Sequence, residues 1–135
     1  LLPNERKALQ AAAGKDKGSK GMLRELISQP HWHHDDAISE ALRPALMRLC
    51  ARYLTEEKRK GTRALDPVAH FHLSNGASVE RINWLGDTAP KGFDQSAGMM
   101  VNYLYHLSKI EDNHEDYHSK GVVNASGSVR ALSKG

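Results

Sequence analysis

The stretch DPVAHFHLSNGASVERINWLGD in the middle of the chain constrains the fold most, because two alternating segments flank a turn signal. In its first half the two-residue period places His70 and His72 on one face of a predicted strand. The Asn75-Gly76 pair supplies the positive φ angles that a tight hairpin turn demands. The return segment alternates in the same way. The sequence therefore predicts a β-hairpin over residues 67–87.

The two imidazoles on this predicted strand are candidates for proton chemistry. Histidine is the side chain whose unperturbed pKa lies closest to neutral pH, so it commonly acts as a general acid or base. A strand histidine is also a common structural hydrogen-bond partner. The alternation alone leaves both roles open for His70 and His72.

A second candidate site is the loop that leads into a predicted third helix over residues 96–109. Glycines let a ligand approach the backbone closely, and a helix N-terminus presents unpaired N–H groups to a phosphate or carbonyl. The residues of this loop that offer such contacts are Lys91, Gly92, Ser96 and Gly98. An ordinary capped turn has the same composition, so the pattern does not by itself identify a ligand.

The remaining chain reads as helices joined by polar segments. Residues 1–21 are predicted to form a helix followed by a flexible lysine- and glycine-rich linker, and residues 22–135 hold the other elements. Asp35 or Asp36 is predicted to cap a helix, and Pro44 to end it and start a new one. The polar segment 111–120 is predicted to be a loop.

The composition is that of a single soluble globular domain. The chain has 135 residues, 39% hydrophobic and 26% charged. No apolar run approaches the ~20 residues that span a bilayer, so we expect no membrane insertion. The single cysteine, Cys50, excludes an intrachain disulfide, and its apolar helical setting is typical of a small buried side chain.

Two sequence features could indicate a nucleic-acid partner or a metal ion, and we expect neither. The net charge is +3, and GKDKGSKG and EEKRKGTR are rich in lysine and arginine, but neither run carries aromatics for base stacking. We therefore predict no nucleic-acid partner. The cluster HWHHDD offers imidazoles and carboxylates, yet sequential neighbours converge on one ion only if the loop folds back. We predict no metal site there.

Three motifs together resemble the malonyl-CoA decarboxylase family. They are PALMRLCARYLTEEKRKG, the central stretch with its FHL, NGA and RINW elements, and KGFDQSAGMMVNYLYHL. The similarity runs in one register from Ser28 to Val123 with the motifs in the family's order. Such a long and unusual string is far more specific than a loose glycine pattern.

The resemblance implies an α/β (α+β) fold, the C-terminal portion of a GNAT-like acyl-CoA fold with a mixed sheet flanked by helices. It makes residues 1–135 a C-terminal segment of one catalytic domain. The implied reaction converts malonyl-CoA and a proton into acetyl-CoA and CO₂ through an enolate, without metal or organic cofactor. A preceding N-terminal helical domain and a segment carrying a catalytic serine are implied to lie before Leu1. This chain would then hold only part of the active site.

The resemblance also assigns roles to residues. The histidine of the FHL motif is the proton donor of the family pattern, and it corresponds to His72. His70 departs from that pattern, and we interpret it as a neighbour on the same face that tunes the charge of His72. Weaker candidates for acyl and coenzyme A contacts are Tyr105, Lys91, Gly92, Ser96 and Gly98. A buried structural tyrosine is an equally good interpretation of Tyr105.

Two other functions remain open from the sequence. A GNAT-type acyltransferase would need a base and an acceptor groove, neither of which is recognisable. A basic nucleic-acid-binding module is disfavoured by the missing aromatics. The expected partners are malonyl-CoA or acetyl-CoA, the remainder of the same polypeptide and further copies in a homo-oligomer. The closing LSKG differs from the serine-lysine-leucine peroxisomal signal, so we predict a bacterial-type cytoplasmic location.

Overall fold

The structure, a computed structural model, describes residues 2–13, 26–27, 32–58, 61–86 and 98–134. Within these ranges it contains helices and a small antiparallel sheet, so the predicted α/β class is confirmed. The helices and strands in chain order are α1 (Pro3–Ala13), α2 (Asp36–Thr55), α3 (Pro67–Ser74), β1 (Ser78–Asn83), β2 (Met100–Leu104), α4 (Ile110–Lys120) and α5 (Gly127–Lys134). Short 3₁₀ turns at Trp32–His34 and Leu107–Lys109 precede α2 and α4.

Helix α2 is the longest element and lies against α1, α5 and β1. The predicted cap is confirmed, because the Asp35 carboxylate accepts a hydrogen bond from the Ile38 N–H at 3.2 Å. The predicted break at Pro44 is wrong, since α2 runs through it without interruption. A proline inside a helix removes one backbone hydrogen bond, a cost that tertiary packing of the other residues outweighs here.

The first half of the predicted hairpin is wrong, because residues Pro67–Ser74 form helix α3. The Asp66 carboxylate accepts a hydrogen bond from the Ala69 N–H at 2.8 Å, and Pro67 occupies the first helical turn. Gly76, with a φ of +88°, ends the helix in the left-handed region. The positive φ predicted at Gly76 is therefore confirmed, but it serves a helix C-terminus rather than a hairpin.

Strand β1 has a different partner from the one predicted. It pairs antiparallel with β2, in the register Ser78 opposite Leu104, and a bulge places Glu80 as the extra residue. The predicted helix over 96–109 is thus wrong, because Met100–Leu104 is a strand. Exposure alternates along β2, which is the two-residue period of a strand with one packed face.

The polar segment predicted as a loop is helix α4. It buries only Asn113 and Tyr117, which lie four residues apart on one face. Gly121, with a φ of +68°, forms its left-handed C-cap. The helix packs on α3, and the Asn113 amide donates to the Gly76 carbonyl at 3.1 Å.

Among the described residues, two apolar clusters form the core. The larger joins α2, α3, β1, α4 and α5, and it contains Met47, Ala51, Leu54, Ala64, Ala69, Leu73, Val79, Ile82, Tyr117 and Val129. The smaller lies between α1 and the start of α2 around Leu9, Trp32 and Leu42. Trp84, which follows β1, contacts both clusters. The larger cluster thus holds α3 and β1 against each other.

A buried ion pair connects α1 to α2. The Glu5 carboxylate accepts two hydrogen bonds from the Arg48 guanidinium, at 2.9 and 3.0 Å, and both side chains are buried. This hydrogen bond to Arg48 outweighs burial and lowers the pKa of Glu5, while it raises the pKa of Arg48. The predicted helix in residues 1–21 is confirmed as α1, and the predicted linker 14–21 lies outside the described residues.

Candidate functional site

His72 lies in the last turn of α3, where the end of β2 approaches it. Its Nδ1 atom is 2.6 Å from the hydroxyl oxygen of Tyr105, the residue that follows β2. Its ring stacks on Tyr103, with centroids 4.3 Å apart and planes 20° from parallel. The structure therefore brings together His72 and Tyr105, two residues that the sequence selected separately.

These contacts orient the imidazole of His72. Stacking on Tyr103 fixes the plane of the ring, and the Tyr105 hydroxyl is hydrogen-bonded to Nδ1. A phenol hydroxyl can donate to a neutral Nδ1 or accept from a protonated one, so the contact persists in both states. Nε2 makes no hydrogen bond to any of the residues the structure describes, and it is the ring nitrogen left to meet a ligand.

An open depression of ≈ 510 Å³ lies against this histidine. One wall is β2, and the bulged Glu80 of β1 also lines the depression. The residues that line it are His72, Glu80, Val101, Asn102, Tyr103, Leu104 and Tyr105. Ligand sites combine apolar walls with a few placed polar groups, and this depression has that composition.

Tyr103 acts as a neutral platform in this site. Burial raises the pKa of its phenol, and the nearby Asp66 carboxylate raises that pKa further. The hydroxyl therefore stays protonated at physiological pH, and the ring offers His72 a flat apolar surface. Alternation along β2 is the signal that places Tyr103 beside the site, and a helical interpretation of residues 96–109 hides it.

His70 faces a different part of the molecule, so the predicted shared face with His72 is wrong. Residues two apart on a helix project about 200° apart. The Tyr117 hydroxyl accepts the Ala64 N–H at 2.8 Å and lies 2.6 Å from His70 Nδ1. Because this hydroxyl has one proton and is buried, donation to His70 Nδ1 satisfies it. His70 thereby ties α3 to α4.

The loop residues predicted to contact coenzyme A lie mostly outside the described part of the chain. Lys91, Gly92 and Ser96 belong to the undescribed range 87–97. Gly98 is described: it has a φ of +83° and lies two residues before β2. No helix N-terminus follows this loop, because β2 starts at Met100, so the predicted helix-terminus anion site is wrong.

Two other features of the described residues bear on metal and thiol chemistry. Among these residues no cluster of three or more histidine, cysteine or carboxylate side chains could hold a metal ion. Burial raises the pKa of the Cys50 thiol to about 11, with a further contribution from Asp66, so the thiol stays neutral. Nor does any described helix have the length and apolarity to cross a membrane.

Comparison with known proteins gives a consistent result. Residues 1–135 match the family described as the malonyl-CoA decarboxylase C-terminal domain. A mitochondrial malonyl-CoA decarboxylase from Anser anser anser is 47% identical over 107 residues, which are 79% of this chain and 21% of that protein. The chain therefore spans about a fifth of the length of this curated relative.

Solved structures agree with the sequence comparison. The crystal structure of malonyl-CoA decarboxylase from Agrobacterium vitis superimposes with a TM-score of 0.79 at 42% identity, covering 94% of this chain and 31% of that one. The enzyme from Rhodopseudomonas palustris gives a TM-score of 0.78 at 38% identity, covering 97% of this chain and 31% of that one.

Proposed function

Because the chain belongs to the malonyl-CoA decarboxylase family, we propose that its complete polypeptide converts malonyl-CoA into acetyl-CoA and CO₂. The observation that supports a role for this segment is the imidazole of His72, held by Tyr105 and Tyr103 at the wall of an open depression. The proposed role of His72 is general acid.

The reaction needs a proton donor because carbon dioxide leaves without the electron pair of the broken carbon–carbon bond. That pair stays on the acyl group, which must then be protonated. The bond between the carboxylate carbon and C2 of the malonyl group breaks, and its electrons move into the thioester carbonyl as an enolate. C2 then takes a proton, for which we assign the Nε2 proton of the His72 imidazolium. Solvent returns a proton to Nε2, so each turnover consumes one proton. The thioester itself accepts the electron pair, so the proposed reaction uses neither metal nor organic cofactor.

Tyr105 keeps the donor in position through both protonation states. When His72 is an imidazolium, its Nδ1–H donates to the Tyr105 oxygen, and that bond remains after Nε2 has lost its proton. The ring therefore does not need to rotate during the proton transfer, which retains its alignment with the substrate. Tyr105 is a positioning residue in this proposal.

Coenzyme A contacts are proposed for the segment that enters β2. Lys91, Gly92, Ser96 and Gly98 precede a strand whose residues line the depression beside His72. Glycines there would let the pantetheine approach the backbone, and the Lys91 ammonium would attract a phosphate.

The rest of the same polypeptide is the proposed partner of this segment. Val68 and Phe71 are 58% and 61% exposed on the outer face of α3, although both are apolar. The chain spans about a fifth of a curated relative, so most of that length lies outside it. We propose that part of the remaining chain covers this face and supplies the serine that works with His72. Homo-oligomer assembly and a cytoplasmic location stay predictions.

The test measures CO₂ release from malonyl-CoA by the complete polypeptide. We expect His72→Asn to reduce turnover by about 10²-fold or more, since general acid catalysis contributes about 10²–10⁴-fold. His70→Asn is the matched control, because His70 lies in the same helix but bonds Tyr117. Retention of wild-type turnover by His72→Asn, with folding intact, would refute the assignment.

A further inference from the structure

Helix α4 carries two histidines outside the candidate active site. His114 and His118 are four residues apart, so they lie on one face of the helix, and both are exposed. Their ring centroids are 4.3 Å apart and their planes are inclined by 47°. Two histidines at this spacing on one helix face form the imidazole pair of helical zinc sites. Neither residue contributes to the proposed decarboxylation.

A second contact of His114 fixes its tautomer and the orientation of its ring. Its Nδ1 atom lies 2.7 Å from the backbone carbonyl oxygen of Ser74. A carbonyl oxygen only accepts, so Nδ1 carries the proton and Nε2 has the free lone pair. Metal-binding histidines almost always donate their other ring N–H to such an acceptor, which fixes the tautomer and the orientation of the ring. The structure therefore holds His114 as a pre-oriented nitrogen ligand.

The charge around the pair also favours a cation. α4 contains four carboxylates, at Glu111, Asp112, Glu115 and Asp116, against a single lysine at its C-terminus. The Glu115 carboxylate accepts from the Ser119 hydroxyl, and this pair lies in the same two turns as the histidines. Negative charge on the same helix raises the local concentration of cations.

We propose that His114 and His118 form a two-histidine site for a divalent transition-metal cation of the zinc class. Zinc binds imidazole nitrogen at about 2.0–2.1 Å, and closely spaced rings on one helix face can meet one ion at that distance. Among the described residues, no group of three or more histidine, cysteine or carboxylate side chains could hold a metal ion. Water therefore supplies the other ligands in this proposal. The site is therefore exchangeable, unlike a closed structural zinc centre.

The bound cation would also act on the helix that carries His72. His114 is bonded to Ser74, the last residue of α3, which lies two residues after His72. A ligand that binds the folded arrangement and not the unfolded chain stabilises the fold. Occupancy of the site thus strengthens the contact between α4 and α3, and a rise in Tm accompanies binding.

The test titrates the complete, chelator-treated polypeptide with zinc chloride in a calorimeter. We expect one binding event in the wild type that His114→Gln and His118→Gln each weaken by about tenfold or more, as loss of even an outer-shell partner costs 10–100-fold. The matched control is His106→Gln, an exposed histidine that bonds Ser108 before α4 and should leave the affinity unchanged.

Two further readouts decide the outcome. Zinc should raise the Tm of the wild type and of His106→Gln, and not that of the other two variants. Copper(II) bound at the same site should show electron paramagnetic resonance couplings to two imidazole nitrogens, and to one in each single variant. Equal zinc affinity in the wild type and in both α4 variants overturns the proposal, as does equal loss in His106→Gln.

Discussion

A change at the Tyr117 hydroxyl tests the contact of His70 separately from that of His72. Tyr117 lies in α4 and is 2% exposed. Its hydroxyl contacts the Ala64 amide and the His70 imidazole of α3. Tyr117→Phe removes one oxygen and leaves the ring in the core. The change therefore tests the hydrogen bonds alone.

The magnitude follows from the groups left without partners. Ala64 is fully buried, so its N–H would lose its acceptor without access to water, which costs about 1–3 kcal/mol. His70 is half-buried and loses an ordinary hydrogen bond, worth about 1 kcal/mol. The free energy of unfolding should therefore fall by about 2–4 kcal/mol. At about 2–4 °C per kcal/mol, the Tm falls by about 4 °C or more.

Thermal and urea unfolding of the complete polypeptide measure this loss, and CO₂ release measures function beside it. We expect Tyr117→Phe to lower the Tm and to retain turnover at a temperature where it is folded, because His72 and Tyr105 keep their contact. The matched control is Tyr105→Phe, which removes a hydroxyl from a tyrosine that is 41% exposed. It should change the free energy of unfolding by less than about 0.5 kcal/mol.

Two results would refute this reasoning. A Tm of Tyr117→Phe within 1 °C of the wild type, against the expected fall of about 4 °C, would mean that its hydroxyl does not serve the Ala64 amide. Loss of turnover in folded Tyr117→Phe, equal to the loss in His72→Asn, would mean that the two histidines act as one unit.

Three further predictions address the site and its supports. Tyr105→Phe should lower the turnover of malonyl-CoA by about tenfold or more while binding of coenzyme A persists, since a misaligned proton donor affects the chemical step; unchanged turnover contradicts it. Gly76→Ala should reduce the yield of folded protein in a thermal shift assay, because its φ is +88° and a Cβ would lie 2.5 Å from the Ile110 carbonyl oxygen; Gly127→Ala, which meets no atom within 4 Å, is the control. Glu5→Gln should lower the free energy of unfolding by about 3–5 kcal/mol, because the charge of Arg48 stays buried without a carboxylate to neutralise it. The pKa of Glu5 is lowered in the fold, so its contribution is present above the ordinary glutamate pKa and is lost as the pH falls through the lowered value, which acid titration of wild type against Glu5→Gln measures.

Features of the fold that depend on a local sequence signal with a single interpretation were predictable. The first helix was predicted from its helix-forming residues, and the Asp35 cap from a carboxylate before an apolar run. The selection of His72 came from family resemblance, and the structure places it against Tyr105. Neither the bond nor the stacking on Tyr103 was predictable, because both join residues that are distant in the chain.

The wrong predictions for α3 and α4 share one cause, which is that the exposure of their residues does not follow polarity. α3 exposes Val68 and Phe71, so its apolar residues do not form the single stripe of an amphipathic helix. α4 buries only Asn113 and Tyr117, too few positions to show a helical period. The Asp66-Pro67 pair was a correct helix-start signal for α3, and the two-residue alternation after it obscured that signal.

The helical form of α3 explains why His70 and His72, two residues apart, have different surroundings. A strand would direct His70 and His72 to the same side, where two imidazoles would compete for one environment. The helix instead directs His70 to the buried Tyr117 hydroxyl and His72 to the open depression. Each histidine then meets a tyrosine hydroxyl at 2.6 Å, but the partner of His70 is 2% exposed and the partner of His72 is 41% exposed. Burial of the tyrosine partner therefore distinguishes the histidine that contacts the core from the one that faces the open depression.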